Sequence, residues 1–277
     1  MSGQFDGKVA FITGAARGQG RSHAVRFAEE GADIIAFDLC DQIATVGYPM
    51  STPEDLDETV NLVEKTGRRI VAEQGDVRDF ERLKAAVANG VAELGRIDFI
   101  LANAGILPII GAGAQEMTAF DDAVSVMLNG VYYTVEAALP ALLEHGDGGA
   151  IVITSSVAGL SGMHVKFSQK THGGAGYLAA KHGVVGLMRG YANMLAEKNI
   201  RVNTVHPTGL ASPMIVNAQV EQLMADQPEY GAAFENLMAV PLIEPIDITE
   251  AMVYLCGQSG RFITGTTLTV DAGFTVK

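Results

Sequence analysis

The chain contains no tryptophan and only two cysteines, Cys40 and Cys256, among 277 residues. Two thiols cannot supply a disulfide framework, so a fold of this length must rest on an apolar core. Basic residues are scarce as well: 19 Lys and Arg stand against 32 Asp and Glu, a formal net charge of −13. Without a lysine or arginine cluster, neither nucleic acid nor an anionic membrane surface attracts such a chain. No apolar run reaches the roughly 20 residues of a membrane span, and the opening residues MSGQFDGK lack the apolar region of a signal peptide. No polar, proline-rich linker divides the chain, and its histidines and carboxylates do not cluster at ligand spacing. A single cytoplasmic domain that acts on a small molecule, without a metal, is the expectation.

What is present is organised around residues 8–31, KVAFITGAARGQGRSHAVRFAEEG. This stretch reads as a buried strand over Val9 to Thr13, a turn carrying Gly14, Gly18 and Gly20, and a helix with Ala24, Val25, Phe27 and Ala28 on its apolar face. A turn that leaves a buried strand and opens a helix presents backbone N–H groups and the positive end of the helix dipole, which suits a phosphate. The next strand, over residues 32–38, closes on Asp38, and a carboxylate there suits a ribose 2′-hydroxyl. A dinucleotide is therefore the leading ligand.

Strand and helix patterns alternate along the rest of the chain. Strands are expected over residues 69–74, 97–102, 149–154, 201–206 and 266–270, and helices over 54–66, 79–94, 118–143, 175–198 and 246–257. Near-continuous apolar strands between helices imply a doubly wound α/β (Rossmann) fold, a parallel seven-stranded sheet with helices on both faces. In such a sheet ligands bind beyond the carboxyl ends of the strands. Gly14, Asp38, Asp76, Asn103, Ser156 and Pro207 all fall at those ends. The irregular stretch from Leu39 to Pro53 is long for a strand-to-helix connection, and is expected to fold over something.

Tyr177 and Lys181 stand four apart in a helical stretch and share a face. An ammonium beside a phenol favours phenolate and lowers its pKa, so that the tyrosine can exchange a proton with an alcohol or carbonyl oxygen. The hydroxyl of Ser156 suits the same oxygen. Alone, this spacing is a weak signal.

Its meaning comes from its company. The chain resembles the short-chain dehydrogenases/reductases over nearly its whole length. Residues 13–20, TGAARGQG, match the TGxxxGxG turn; Asn103-Ala104-Gly105 matches the NAG motif; Ser156 with Tyr177 and Lys181 matches the catalytic set. The resemblance implies Tyr177 as general acid/base, Lys181 as the group that lowers its pKa and holds the nicotinamide ribose, and Ser156 as the residue that orients the substrate oxygen. It further implies NAD against Gly14, Arg17, Gly18, Gln19, Gly20, Asp38, Asp76, Val77, Asn103, Ala104, Gly105, Pro207, Thr208 and Gly209. The ARGQGRSHA turn, the 39–53 insertion, the AGYLAAKHGVVGLMR helix, the HPTG segment and the closing VDAG resemble the mycofactocin-coupled, carveol-dehydrogenase-like subgroup of actinobacteria. That likeness implies tightly held NAD and an external redox partner that recycles it.

The chain also departs from the family. Met127 stands where the catalytic asparagine is expected, three residues before Gly130, and a thioether makes no useful hydrogen bond. Ser156 and Tyr177 are 21 residues apart, wider than usual, so residues are inserted within 162–176, where His164 and His172 read as solvated loop histidines. Arg17 stands where relatives that prefer NADP carry a basic residue, whereas Asp38 repels a 2′-phosphate; Asp38 is expected to dominate and NAD to be preferred. A lid is expected over residues 210–240, with Met214, Met224, Met238, Ile215, Val216 and Leu237 suited to an apolar terpenoid or alicyclic secondary alcohol or simply packing down. A sensor that binds NAD without chemistry, a reductase of a steroid or 3-oxoacyl carbonyl, and an extended epimerase are the alternatives. Gly183, Gly186 and Gly190 on the Tyr177 helix permit close helix approach, and family resemblance implies a homotetramer.

Overall fold

The computed structural model describes residues 3–162 and 166–277, with the backbone alone for 230 and 232. Seven strands, β1 (Val9–Thr13), β2 (Asp33–Asp38), β3 (Ile70–Gln74), β4 (Phe99–Ala102), β5 (Gly149–Thr154), β6 (Ile200–Pro207) and β7 (Thr267–Val270), form one parallel sheet in the order β3-β2-β1-β4-β5-β6-β7. The order reverses between β1 and β4, and the loops after those two strands diverge there to leave a crevice.

Alternation along each strand decides which helices cover which face. Val9, Phe11, Ile35, Phe37, Ile151 and Ile153 point to one side, where α3 (Phe80–Leu94), α5 (Gly130–Glu144) and α6 (His172–Leu195) close the core. Ala10, Ile12, Ile34, Ala36, Ala150 and Val152 point to the other, toward α1 (Gly18–Glu29), α2 (Pro53–Lys65) and α9 (Pro245–Cys256). Small alanines on the second side let α1 lie close to the sheet.

Two expectations are corrected. The helix anticipated over 118–143 is divided: α4 (Met117–Val124) runs into a π turn, Ser125–Asn129, before α5 resumes. The wide turn carries both Val126 and Met127 into the core. Directly after it, Gly130 leaves room for Val77, whose Cγ2 is 2.6 Å from where a Cβ would stand. The second correction concerns α6, which begins at His172 and not 175: Thr171 caps it by accepting from the Gly174 amide at 2.9 Å. Its first glycines look like loop residues but serve contact, since a Cβ on Gly173 would fall 1.7 Å from the Pro108 carbonyl.

The helical run Met117–Glu144 is long and apolar enough to cross a membrane, yet half of it is buried inside the molecule against the sheet. Two short helices, α7 (Ala218–Asp226) and α8 (Pro228–Ala233), follow β6.

Candidate active site

The turn after β1 is built by close approach. Gly14 has φ +69°, and a Cβ there would lie 2.8 Å from the Ala104 Cα; a Cβ on Gly20 would lie 1.9 Å from the Gly14 carbonyl oxygen. Only glycine lets α1 start directly behind β1 and beside the β4 loop. The N-terminus of α1 has no side-chain cap, and Gln19 Oε1 is buried without a partner. Uncapped N–H groups at a helix start suit an anionic ligand.

Asp38 braces this turn from the end of β2. Its Oδ2 accepts from the Ala16 amide at 2.9 Å, and its Oδ1 accepts from the Ser51 hydroxyl at 2.6 Å and the Cys40 amide at 3.2 Å. Asn103, ending β4, donates from Nδ2 to the Thr13 carbonyl at 3.1 Å and accepts from the Thr154 hydroxyl at 3.1 Å. Three strand ends are thereby tied together beneath the crevice. Asp76 after β3 is held bidentately by Arg78, which also reaches Asp122 at 2.9 Å.

The insertion after β2 closes one side. Ile43, Val46 and Tyr48 are buried in the core, and Gln42 binds the carbonyls of Ile43, Val46 and Tyr48 to hold the loop compact. Arg17 donates from Nη2 to the Pro49 carbonyl at 2.7 Å, Thr45 donates to Asp122 at 2.6 Å, and Tyr48 accepts from the Leu107 amide at 3.2 Å. Burial pushes the Tyr48 phenol up to about 12.

The catalytic candidates meet at the end of β5. Ser155 and Ser156 diverge: Ser155 donates to the Lys181 carbonyl at 2.9 Å, pinning α6, whereas the Ser156 hydroxyl accepts from the Ala158 amide at 3.2 Å. Lys181 donates from Nζ to the Thr154 carbonyl at 2.8 Å, and its ammonium stands 5.8 Å from the centre of the Tyr177 ring. Burial opposes the effect expected of Lys181 on Tyr177. Burial dominates: it raises the Tyr177 phenol above its ordinary value, opposed only by a hydrogen bond with Ser156. Burial also lowers Lys181 to about 8. The charged form of each group is disfavoured by the same lack of water. Met127 lies across Gly105 from the Lys181 ammonium, its Sδ and Lys181 Nζ each 3.7 Å from where a Gly105 Cβ would stand.

One cleft is lined by Gly14, Arg17, Gly18, Gln19, Gly20, Asp38, Asp76, Val77, Asn103, Ala104, Gly105, Ser156, Tyr177, Lys181, Pro207 and Thr208. Gly209 stands outside that lining, where its carbonyl accepts from Ile243 at 3.0 Å and supports the loop from behind. Arg17 lines the cleft, but its guanidinium is committed to Pro49. Of the six apolar lid candidates only Met214 and Ile215 reach the cleft; Val216, Leu237 and Met238 face solvent, and Met224 packs away from it. Asn129 is exposed, His172 opens α6 half-buried, and His164 lies outside the described residues.

Sequence reasoning missed Ile43, Tyr48 and Met50 on the cleft wall, although the unusual length of their loop marked it. It also missed His206, an unremarked member of an apolar strand. His206 is wholly buried, with Nδ1 2.7 Å from the Ser156 carbonyl oxygen and Nε2 2.8 Å from the Thr204 hydroxyl.

A glycine turn under a parallel sheet, with Ser156, Tyr177 and Lys181 across the crevice from it, meets a matching family. A family model described as enoyl-(acyl carrier protein) reductase matches residues 14–275. The chain belongs to the short-chain dehydrogenases/reductases. An uncharacterized oxidoreductase of Mycobacterium tuberculosis is 51% identical over 276 residues, 98% of this chain and 97% of that one. The (−)-trans-carveol dehydrogenase of Rhodococcus erythropolis is 42% identical, covering 98% of this chain and 99% of its own. Carveol dehydrogenase from Mycobacterium avium, solved in complex with NAD, superposes with a TM-score of 0.91 at 45% identity, covering 99% and 100% of the two chains.

Proposed function

We propose that this short-chain dehydrogenase uses NAD to interconvert an apolar, cyclic secondary alcohol and its ketone. The observation that carries the reading is the meeting of Ser156, Tyr177 and Lys181 in a cleft that the apolar side chains of Ile43, Ile106, Leu107, Met214 and Ile215 also line. The residues present fit the cofactor: Gly14 and Gly20 let the turn close tightly behind β1 so that α1 starts at the cleft, and the uncapped N–H groups of that helix start suit a phosphate. Asp38 and Asn103 bound that turn, and Asp38 favours a free ribose hydroxyl over a 2′-phosphate. The NAD-bound relative supports the same choice.

When bound, NAD takes hydride from the carbinol carbon, or its reduced form returns it. Tyr177 as phenolate takes the proton of the alcohol O–H; in the opposite direction it gives that proton to the ketone oxygen. Ser156, whose oxygen already accepts from Ala158, keeps its own proton to donate to the substrate oxygen. Lys181 brings positive charge to the phenol while anchored to the end of β5. Apolar walls exclude water and match a terpenoid or alicyclic ring, the chemistry named for the carveol dehydrogenase relative.

Three finer elements complete the proposal. The 210–240 segment acts as a lid over the substrate, latched by the Thr208 hydroxyl on Asn236 at 2.7 Å. The 39–53 insertion retards cofactor exchange through its clasps on Arg17, Asp38 and Asp122, which suits reoxidation in place by an external, mycofactocin-like carrier. Gly186 and Gly190 lie open on the surface of α6 beside exposed Met194, which supports pairing of this helix in a homotetramer.

The test begins with purified protein denatured without added nucleotide and analysed by mass spectrometry, followed by assay against cyclic alcohols. NAD or NADH in the supernatant and reduction of NAD by a cyclic secondary alcohol are expected. No turnover with any cyclic alcohol, with nucleotide bound, would sink the substrate assignment. Sizing chromatography checks the tetramer, and a monomer would refute it.

A further inference from the structure

Ser156 must present its hydroxyl at a fixed height above Tyr177, yet it lies one residue beyond the last sheet hydrogen bond on this edge, donated by the Ser155 amide to the Val205 carbonyl at 2.9 Å. Its backbone is extended, φ −170° and ψ 165°, and it caps the short 3-10 turn Val157–Gly159. What holds it is its carbonyl oxygen, which receives two donors: the Gly159 amide at 2.8 Å and His206 Nδ1 at 2.7 Å. The first is local and moves with the turn. The second comes from β6, a different strand.

The hydrogen bonds fix the imidazole's protons. A carbonyl oxygen can only accept, so Nδ1 carries the hydrogen. Nε2 is then an acceptor, and the Thr204 hydroxyl 2.8 Å away is its donor. Burial drives His206 down to about 4, with Lys181 and His182 opposing its charge, so it stays neutral where the enzyme works. A ring that is neutral, shut from water and bonded at both nitrogens carries no proton to the substrate; its work is geometric.

Resting on the assignment of Ser156 and Tyr177 made above, we propose that His206 is a positioning residue for the reaction. It locks the Ser156 carbonyl to the carboxyl end of β6 and so sets where the Ser156 hydroxyl meets the substrate oxygen. Thr204 donates to Nε2 and so satisfies the other nitrogen of the tautomer that the lock requires. Because Pro207 and Thr208 follow His206 directly into the cleft lining, the same side chain keeps the serine and the β6 loop in step.

The test uses the full chain with NAD and a cyclic secondary alcohol that the parent oxidises, measuring kcat, KM and NADH binding by fluorescence. For His206→Leu, kcat is expected to fall by about tenfold to a hundredfold, the scale of misplacing a reacting group by an ångström. NADH binding should stay within about twofold, since no phosphate-cradle contact changes. His206→Asn, whose amide N–H can stand in for Nδ1–H, should recover most of the loss. Thr204→Val, which leaves the buried Nε2 without its donor and so loosens the ring, should lower kcat in the same direction, and it decides the matter if His206→Leu does not fold. Parental kcat in His206→Leu or Thr204→Val overturns the proposal. So does an equal fall in His206→Asn, or a loss of NADH binding along with turnover. Ser156→Ala separates this from the reading beneath it: if that variant is inactive and His206→Leu is not, only the role of His206 fails, whereas an active Ser156→Ala removes both.

Discussion

Lys181 donates to the main-chain carbonyl of Thr154 at 2.8 Å, so the charge nearest Tyr177 is tethered to the end of a strand and not to a carboxylate. Thr154 in turn donates its hydroxyl to Asn103 at 3.1 Å, and Asn103 binds the Thr13 carbonyl. The candidate catalytic groups on α6 and the glycine turn at β1 therefore share one hydrogen-bonded chain across β5 and β4.

The tether has a thermodynamic consequence. Burial lowers Lys181 from 10.5 to about 8, so at pH 7 the folded protein carries a charge it would bind less readily than the unfolded chain does. The penalty is about 3 kcal/mol at 1.36 kcal/mol per pKa unit. Between about pH 8 and 10.5 the native state sheds the proton while the unfolded state keeps it, and stability from this group rises with pH. Lys181→Met is expected to abolish turnover and yet raise the melting temperature of nucleotide-free protein at pH 7. The gain should vanish above pH 10.5. A lower melting temperature across the whole range would contradict this account.

If Tyr177 moves the proton as proposed, it sets the pH dependence of the chemistry. Its phenol is held above its ordinary value by burial, and alcohol oxidation needs the phenolate. Oxidation should therefore still be rising through pH 9, while ketone reduction, which needs the neutral phenol, should be flat or falling there. Tyr177→Phe should remove the dependence along with about a hundredfold or more of the rate, leaving NADH binding in place. A rate independent of pH in the parent would argue that another group moves the proton.

Much of this was legible before any coordinates. Runs such as Val9 to Thr13 and Gly149 to Thr154 are apolar throughout because both faces of the sheet are covered, and their polar terminators mark the ligand edge. The Tyr177 to Lys181 spacing survived as a shared helical face. Other features had no local signal. Met127 gives no hint that its helix opens into a π turn, because the reason, room for Val77 behind Gly130, lies 50 residues away in the chain. Gly173 reads as loop because glycine favours loops, whereas here it lies in α6 and makes room for the carbonyl of Pro108. His206 was invisible for a similar reason: its partner, Ser156, is a main-chain oxygen on another strand. The burial that opposes ionisation of Tyr177 had no local signal either, because spacing reports proximity of Lys181 and says nothing of desolvation.

Asp38 is the proposed source of the cofactor preference. Its carboxylate is buried at the end of β2 and already accepts from Ala16, Cys40 and Ser51, so it cannot turn away from an incoming 2′-phosphate. A like-charge clash of that kind costs several kcal/mol. Asp38→Asn keeps the size and part of the bonding but removes the charge. The ratio of kcat/KM for NAD over NADP is expected to fall by about a hundredfold, at about 1.4 kcal/mol per factor of ten. An unchanged ratio would leave the preference to some other group.

Arg17 separates two readings of one side chain. Were its charge reserved for a 2′-phosphate, Arg17→Ala would weaken NADP and leave NAD kinetics alone. In the structure the guanidinium instead spans from the glycine turn to the Pro49 carbonyl at 2.7 Å, closing the insertion over the cleft. Its loss frees one clasp while Ser51 on Asp38 and Thr45 on Asp122 remain. A hydrogen bond to a charged group contributes about 1.5–3 kcal/mol, and if half of that lies in the barrier to opening, release should quicken by about threefold to tenfold. Arg17→Ala is thus expected to speed dissociation of NADH, followed by its fluorescence after dilution into excess NAD, with the NAD to NADP ratio unchanged. A shift in that ratio without a change in release rate would return Arg17 to the role of a phosphate ligand and remove the insertion's clasp from the account of cofactor retention.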